Sequence, residues 1–317
     1  MSRIKVVRYV EYIRFQTERK RTHVTVGAFD GIHVGHQKLI RKTVDTARAN
    51  RAMPAVLTFQ NHPLTILAPS YAPMRLSSDE ARTDLFESMG VRILVLIPFN
   101  RSVADLSPEK FVEDILVHGL RVRHLVCGYN FHFGKNGAGN VDVLAELGKK
   151  HDFTVEKVPP VKVRGVVVSS TKIRELLTQG MVSTVAEFLG RPYTIRGVVK
   201  KGFGRGRSLH YPTANLDLPR DLLIPAEGVY AVRVVLKNGG EYGAMMNIGH
   251  NPSFPGDRLS VEVHLFDFDG DLIGETMEIK FVNRLRIEMK YEKIEDLMDQ
   301  LKRDETSARK FLSIPGS

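Results

Sequence analysis

The chain has 317 residues, enough for two domains, and its 43% hydrophobic content allows each of them a core. A formal net charge of +10 points to anionic partners, and because the basic residues are dispersed, charge alone favours neither nucleic acid nor phosphorylated small molecules. The longest apolar runs are strand-length, the basic start lacks the apolar stretch of a signal peptide, and the single cysteine, Cys127, excludes an internal disulfide and a cysteine-based zinc site; a reducing cytoplasm and no membrane attachment are expected.

Strand and helix patterns alternate through the first part of the chain. Apolar strands are expected at 24–26, 55–59, 93–97 and 125–127, with helices at about 35–50, 78–89 and 108–118. Fully apolar strands alternating with helices predict a parallel sheet covered on both faces, a Rossmann-like α/β arrangement. A short helix follows from Thr171 to Gly180 and another over 183–189, stopped by Gly190 with Pro192 beyond. After Pro192 the texture changes to strands at 193–199, 229–236, 242–247, 261–266 and 277–282. Asn238-Gly239 and Asp269-Gly270 read as hairpin turns, and the whole as a small antiparallel barrel. A helix over 292–311 closes the chain. The join between the domains lies at 183–192, giving domains 1–182 and 183–317.

Gly27-Ala-Phe-Asp-Gly-Ile-His-Val-Gly-His36 follows the first strand and opens a helix. Its glycines permit a tight turn and close ligand approach, and a helix N-terminus attracts phosphate. His33 and His36 share one helical face. The spacing is neither a P-loop nor a dinucleotide Gly-x-Gly-x-x-Gly, and no further ligands stand at zinc spacing. Ser169-Ser-Thr-Lys-Ile-Arg174 reads as helix capping or as a phosphate contact.

In the second domain, Lys200-Lys-Gly-Phe-Gly-Arg-Gly-Arg207 reads as a phosphate-cradling flap, with an RNA-binding arginine-glycine loop as the alternative. Pro212-Thr-Ala-Asn215 alone could be an ordinary turn. Glu262, His264 and Phe266 share the face opposite Val261, Val263 and Leu265, so Glu262 points into solvent or into a groove. Asp267, Asp269, Asp271 and Glu278 do not match a calcium loop, since Gly270 is misplaced and the flanks are strands; a hairpin turn is expected.

Taken together these motifs resemble the bacterial bifunctional riboflavin kinase/FMN adenylyltransferases. Gly27–His36, Phe59-Gln-Asn-His-Pro63, Gly128-Tyr-Asn-Phe-His-Phe-Gly134 and Ser169–Arg174 match the adenylyltransferase half in order, with Asn61 where that family has Pro. The resemblance implies an α/β nucleotidyltransferase domain followed by a flavokinase barrel with a C-terminal helix. It assigns His33, His36 and Arg174 to catalysis on ATP phosphates, and Gly27, Phe29, Asp30, Gly31, Gly35, Ser170 and Thr171 to ATP binding. His62 and Asn130 would face the flavin. In the kinase half, Gly202, Gly204 and Arg207 would cradle ATP, and Thr213 and Asn215 would bind Mg²⁺ and phosphate. Leu209-His-Tyr-Pro212 stands where Leu-Gly-Phe-Pro is usual, and Asn247-Ile-Gly-His-Asn-Pro-Ser-Phe254 has Ser253 for Thr. Val261-Glu-Val-His-Leu-Phe-Asp-Phe268 carries Glu262 at the position of the catalytic base. Arg286-Ile-Glu-Met-Lys-Tyr291 supplies Arg286 and Glu288 on the riboflavin side. The implied partners are ATP, riboflavin, FMN and FAD, with no nucleic acid or membrane and with a homo-oligomer left open. Two alternatives are that only one activity is retained, or that a basic RNA-binding protein uses the same scaffold.

Overall fold

The computed structural model describes residues 4–8, 21–202, 211–250 and 259–314. The chain divides into two compact units, Met1–Ser169 and Ser170–Ser317.

The first unit holds a parallel sheet of β1 (Lys5–Arg8), β2 (Thr22–Val26), β3 (Met53–Phe59), β4 (Ile93–Ile97), β5 (Val122–Gly128) and β6 (Thr154–Val158). Their order across the sheet is β1-β4-β3-β2-β5-β6, and every pairing is parallel. The helices include α1 (Val34–Ala49), α2 (Asp79–Ser88) and α3 (Val141–Lys150). The period-2 pleat sends neighbouring residues to opposite faces. Val56, Leu94, Leu96 and Val126 enter a core with Ile40 and Val44 of α1 and Phe86 of α2. Leu57, Ile93, Val95 and Leu125 enter another with Ile115 and Leu116 and with Leu144 of α3. Each such buried Leu or Ile contributes about 2 kcal/mol. Where one helix is expected over 108–118, an α-turn at Pro108–Lys110 runs into a π-helical stretch, Phe111–Gly119, in which the Leu120 N–H reaches back five residues to Ile115 O at 3.0 Å.

The first unit ends with the short hairpin β7 (Lys162–Val163) and β8 (Val166–Val167). The second unit opens with α4 (Ser170–Thr178) and α5 (Val182–Leu189), so α4, expected in the first domain, groups with the second unit. Gly190 ends α5 in the left-handed conformation, φ 67°, as the sequence predicts. The barrel comprises β9 (Thr194–Lys200), β10 (Ala214–Asp217), β11 (Gly228–Leu236), β12 (Glu241–His250), β13 (Leu259–Leu265) and β14 (Thr276–Arg286), closed in the order β10-β13-β12-β11-β14-β9. Asn238-Gly239 does make the β11–β12 hairpin, with Gly239 at φ 89°. Asp269-Gly270 does not make one. β13 pairs with β10 and β12, and β14 pairs with β11 and β9, so the two strands on either side of Gly270 stand on opposite walls. The final helix, α6 (Ile294–Leu312), packs Ala308 and Leu312 against Ala231, Met245 and Phe266 on the outside of the barrel. Its acidic first turn and basic last turn complement the helix dipole.

A consequence for acid stability arises at the other end of the parallel sheet from the glycine turn. His23 is only 5% exposed, its Nδ1 lies 3.0 Å from Thr46 Oγ1, and its ring centre is 5.0 Å from that of His124. Burial, then the neighbouring His124, push its pKa down to about 4. In the unfolded chain it titrates near 6.5. Between these values the unfolded chain binds the proton that the folded chain refuses, so the stabilisation is present above pH 6.5 and is lost as the pH falls toward 4. We expect a loss of about 2 kcal/mol between pH 7 and 4.5 from denaturant midpoints, with a shallower slope in His23→Gln.

Candidate active sites

In the parallel sheet, β2 is flanked by β3 on one side and β5 on the other, so the strand order reverses between β2 and β5. Ligands of open α/β sheets bind outside the carboxyl ends of the strands at such a point. The Gly27–His36 turn leaves the end of β2 there, and Gly128 and Asn130 leave the end of β5. The turn winds through positive φ at Phe29 (49°), Gly31 (78°) and Ile32 (38°). Phe29 and Ile32 are fully buried, and their burial offsets the strain. His33 caps α1: its Nδ1 accepts from the His36 N–H at 3.2 Å. The two imidazoles stack with centroids 3.6 Å apart, and Phe29 meets His36 edge-on at 5.1 Å. Gly35 leaves the cap room, because a Cβ there would stand 3.1 Å from the His33 ring.

His36 Nδ1 is buried with no hydrogen-bond partner among the described residues. Burial, then His33, hold the His36 pKa well below the usual histidine range. The pair therefore presents a neutral imidazole at a helix N-terminus, a hydrogen-bonding group rather than a fixed positive charge. His62 joins the turn in one small pocket with Ala28, Asp30, Asn61, Arg75 and Arg82. Asn61, standing where the family has proline, holds its segment by a different device: its amide donates to Phe99 O and accepts from Phe99 N–H, both at 2.9 Å. Asn130 is exposed, with its carbonyl 3.0 Å from His132 Nδ1. Ser170, Thr171 and Arg174 stand on the first turns of α4, in the second compact unit.

The barrel brings its own motif residues together by register. Asn215 of β10 and Asn247 of β12 are both paired with Glu262 of β13, one from each side. One carboxylate oxygen of Glu262 accepts from Thr213 Oγ1 and the other from Ser260 Oγ, each at 3.2 Å. His264 Nδ1 lies 2.8 Å from Pro212 O, anchoring the segment that carries Thr213. Glu262 and His264 look into a cavity of about 290 Å³ beside α6, lined by Thr213, Asn247, Glu288, Tyr291 and Leu301 among others, while Phe266 on the same face packs with Ala308 and Leu312 of α6. A groove of about 690 Å³ runs beside it past Lys200, Lys201, Gly202, Thr213 and Phe268. Thr213 lines both. Gly202 lies so close to the Asn215 side chain that a Cβ could not be added without displacing it. Gly204 and Arg207 lie outside the described residues.

Arg286 lines the cavity, but its guanidinium is engaged by Asp304 of α6, with Nη2 to Oδ2 at 2.8 Å and Nε to both oxygens at 3.0 and 3.1 Å. Gln300 Nε2 donates to the same carboxylate at 2.8 Å. Asp304 is 4% exposed, and sequence reading missed it because its partner comes from β14, outside its own helix. Breaking a buried pair leaves a charge uncompensated. Asp304→Ala is expected to lower stability by about 3 kcal/mol, read from denaturant midpoints, whereas Asp304→Asn should cost less because it keeps an acceptor for Arg286.

Thr213 and Asn215 offer a hydroxyl and an amide oxygen, the hard donors that suit Mg²⁺ carrying phosphate and water in the rest of its shell. Among the described residues, no group of three or more His, Cys, Asp or Glu is arranged to hold a metal by itself.

The sequence profile of the FAD synthetase family matches residues 15–172, and that of the riboflavin kinase family matches residues 189–312. A bifunctional riboflavin kinase/FMN adenylyltransferase of Listeria monocytogenes is 36% identical over 292 residues, covering 92% of this chain and 92% of that protein. Its counterpart in Escherichia coli K12 is 31% identical and covers 98% of this chain and 99% of its own. A crystal structure from Streptococcus pneumoniae, described as a macrolide-efflux protein, is similar with a TM-score of 0.87 at 33% identity, covering 96% of this chain and 99% of that one. Among the described residues here, no helix is long and apolar enough to cross a membrane.

Proposed function

Because the chain belongs to the bifunctional riboflavin kinase/FMN adenylyltransferase family, we propose that it phosphorylates riboflavin to FMN in the barrel and adenylylates FMN to FAD at the glycine turn. The observation that carries the kinase reading is Thr213, which lines both the cavity and the groove while donating to Glu262. A flavin in the cavity and ATP along the groove would meet at that residue. Riboflavin's 5′-hydroxyl attacks the γ-phosphorus, the bond to the β–γ bridging oxygen breaks, and ADP leaves. Glu262 orients the hydroxyl and takes its proton late in a loose transition state. Mg²⁺ held at Thr213 and Asn215 would neutralise charge on the phosphates.

Adenylylation needs no strong base, since the FMN phosphate is already anionic. It needs alignment and stabilisation of charge at the α-phosphorus as pyrophosphate departs. His33, His36 and the free N–H groups of α1 suit that work, and the motif Ser169–Arg174 is assigned to phosphate on its sequence. His62 and Asn130 are assigned to the flavin. Each activity is proposed to belong to its own half of the chain, and the soluble substrates fit a cytoplasmic enzyme. The RNA-binding alternative rested on the loop 200–207, most of which lies outside the described residues. Incubation with riboflavin, ATP and Mg²⁺ followed by chromatography should yield FMN and then FAD. A protein that makes neither, yet binds RNA with steep salt dependence, would return the reading to that alternative.

A further inference from the structure

Asp30 sits in the middle of the glycine turn, yet its carboxylate is occupied from behind. Both oxygens accept from the Leu76 N–H at 3.0 Å, and Ser77 Oγ lies 3.5 Å from Oδ1. The same Ser77 hydroxyl accepts from the Gly31 N–H at 3.2 Å. From the helix that follows, Arg82 reaches two backbone carbonyls with one guanidinium: Nη1 donates to Ala28 O and Nη2 to Phe59 O, each at 3.1 Å. Nη2 is also held by Asp79 Oδ1 at 2.6 Å, and the Arg82 side chain is 7% exposed. Ala28 belongs to the turn that carries His33 and His36. Phe59 opens the segment that carries His62. The stretch from Leu76 to Arg82 therefore grips the ends of both β2 and β3.

We propose that Asp30 and Arg82 are positioning residues for FMN adenylylation. They fix the glycine turn and the Phe59–His62 segment against each other through the backbone groups they hold, and Asp30 acts as a hydrogen-bond acceptor rather than as a charge toward nucleotide or metal. The inference rests on the adenylyltransferase reading above. Misplacing reacting groups by about 1 Å costs about 10²-fold in rate.

The test measures FAD formation from FMN and ATP, with riboflavin phosphorylation in the same preparation as the control for intact protein. Arg82→Met should lower kcat/KM for FAD formation by about 10²-fold and leave FMN formation unchanged, with Arg82→Lys recovering part of the loss. Asp30→Ala should lose a similar amount, whereas Asp30→Asn, which keeps an acceptor for Leu76 without the charge, should stay within about tenfold of the wild type. An Asp30→Asn protein as impaired as Asp30→Ala while folded would assign the charge a direct role and overturn the proposal. So would Arg82→Met that makes FAD at the wild-type rate. Should Arg82→Met fail to fold, the Asp30 pair decides. A wild-type chain that makes no FAD would instead defeat the adenylyltransferase reading itself.

Discussion

Replacing Glu262 with glutamine is expected to lower riboflavin phosphorylation by about 10²-fold or more, while FAD formation from supplied FMN continues. The substitution preserves shape. A glutamine carbonyl can still accept from Thr213 or Ser260, which hold the carboxylate at 3.2 Å from either side. The strand register with Asn215 and Asn247 depends on backbone and is unaffected. What disappears is the capacity to take a proton from a neutral hydroxyl as the phosphoryl group arrives. Riboflavin binding should therefore persist, and the loss should fall on kcat. A Glu262→Gln protein that phosphorylates riboflavin at the wild-type rate would reduce Glu262 to a strand carboxylate bound to two hydroxyls.

Replacing His36 with alanine is expected to cost about 10²–10³-fold in FAD formation and to leave riboflavin phosphorylation near wild type. The imidazole is neutral, enclosed between His33 and Phe29, and aimed from a helix N-terminus with a buried Nδ1 that no described residue satisfies. A buried polar atom left unpaired is costly, and a ligand oxygen or a water would relieve it. Alanine removes the imidazole without touching the His33 side-chain cap, whose donor is the residue 36 backbone N–H. Because burial and His33 keep His36 neutral well below pH 6.5, the wild-type FAD-forming rate should show no loss near pH 6.5 that vanishes in His36→Ala. Equal loss of both activities would indicate unfolding, and no loss would leave His36 as a packing residue.

Much of this architecture was legible in the residues because one physical signal dominated each legible element. β4 is apolar throughout and buried throughout, and α1 begins where a capping side chain follows a glycine turn. The strands at the sheet's edges were not legible. β6, with a neighbouring strand on one side only, has a single buried residue, Val158, and no regular alternation, and β1 offers only four residues. β10 starts within Pro212-Thr-Ala-Asn215, which reads locally as a turn, and its residues from Ala214 on become a strand by pairing with β13 and β9. Asp269-Gly270 misled for the same reason in reverse: a hairpin dipeptide makes a hairpin only when its flanking strands have free edges for each other. In the sites, Thr213 and Glu262 followed from the motifs. Arg82 could not be found in this way, since the carbonyls it holds are 54 and 23 residues away and only the folded sheet brings them within reach. Asp30 was visible, but its partners Leu76 and Ser77, on which the positioning role proposed for it rests, were not.

FMN joins the two reactions, as the product of one and the substrate of the other. The most direct measurement mixes two variants, Glu262→Gln and His36→Ala, with riboflavin, ATP and Mg²⁺, and follows FAD by chromatography. Each variant alone should form little FAD, the first for want of FMN and the second for want of adenylylation. Together they should form it, because His36→Ala supplies FMN and Glu262→Gln converts it. FAD made from riboflavin by Glu262→Gln alone at the wild-type rate, or no FAD from the mixture, would show that Glu262 and His36 do not serve two separate reactions.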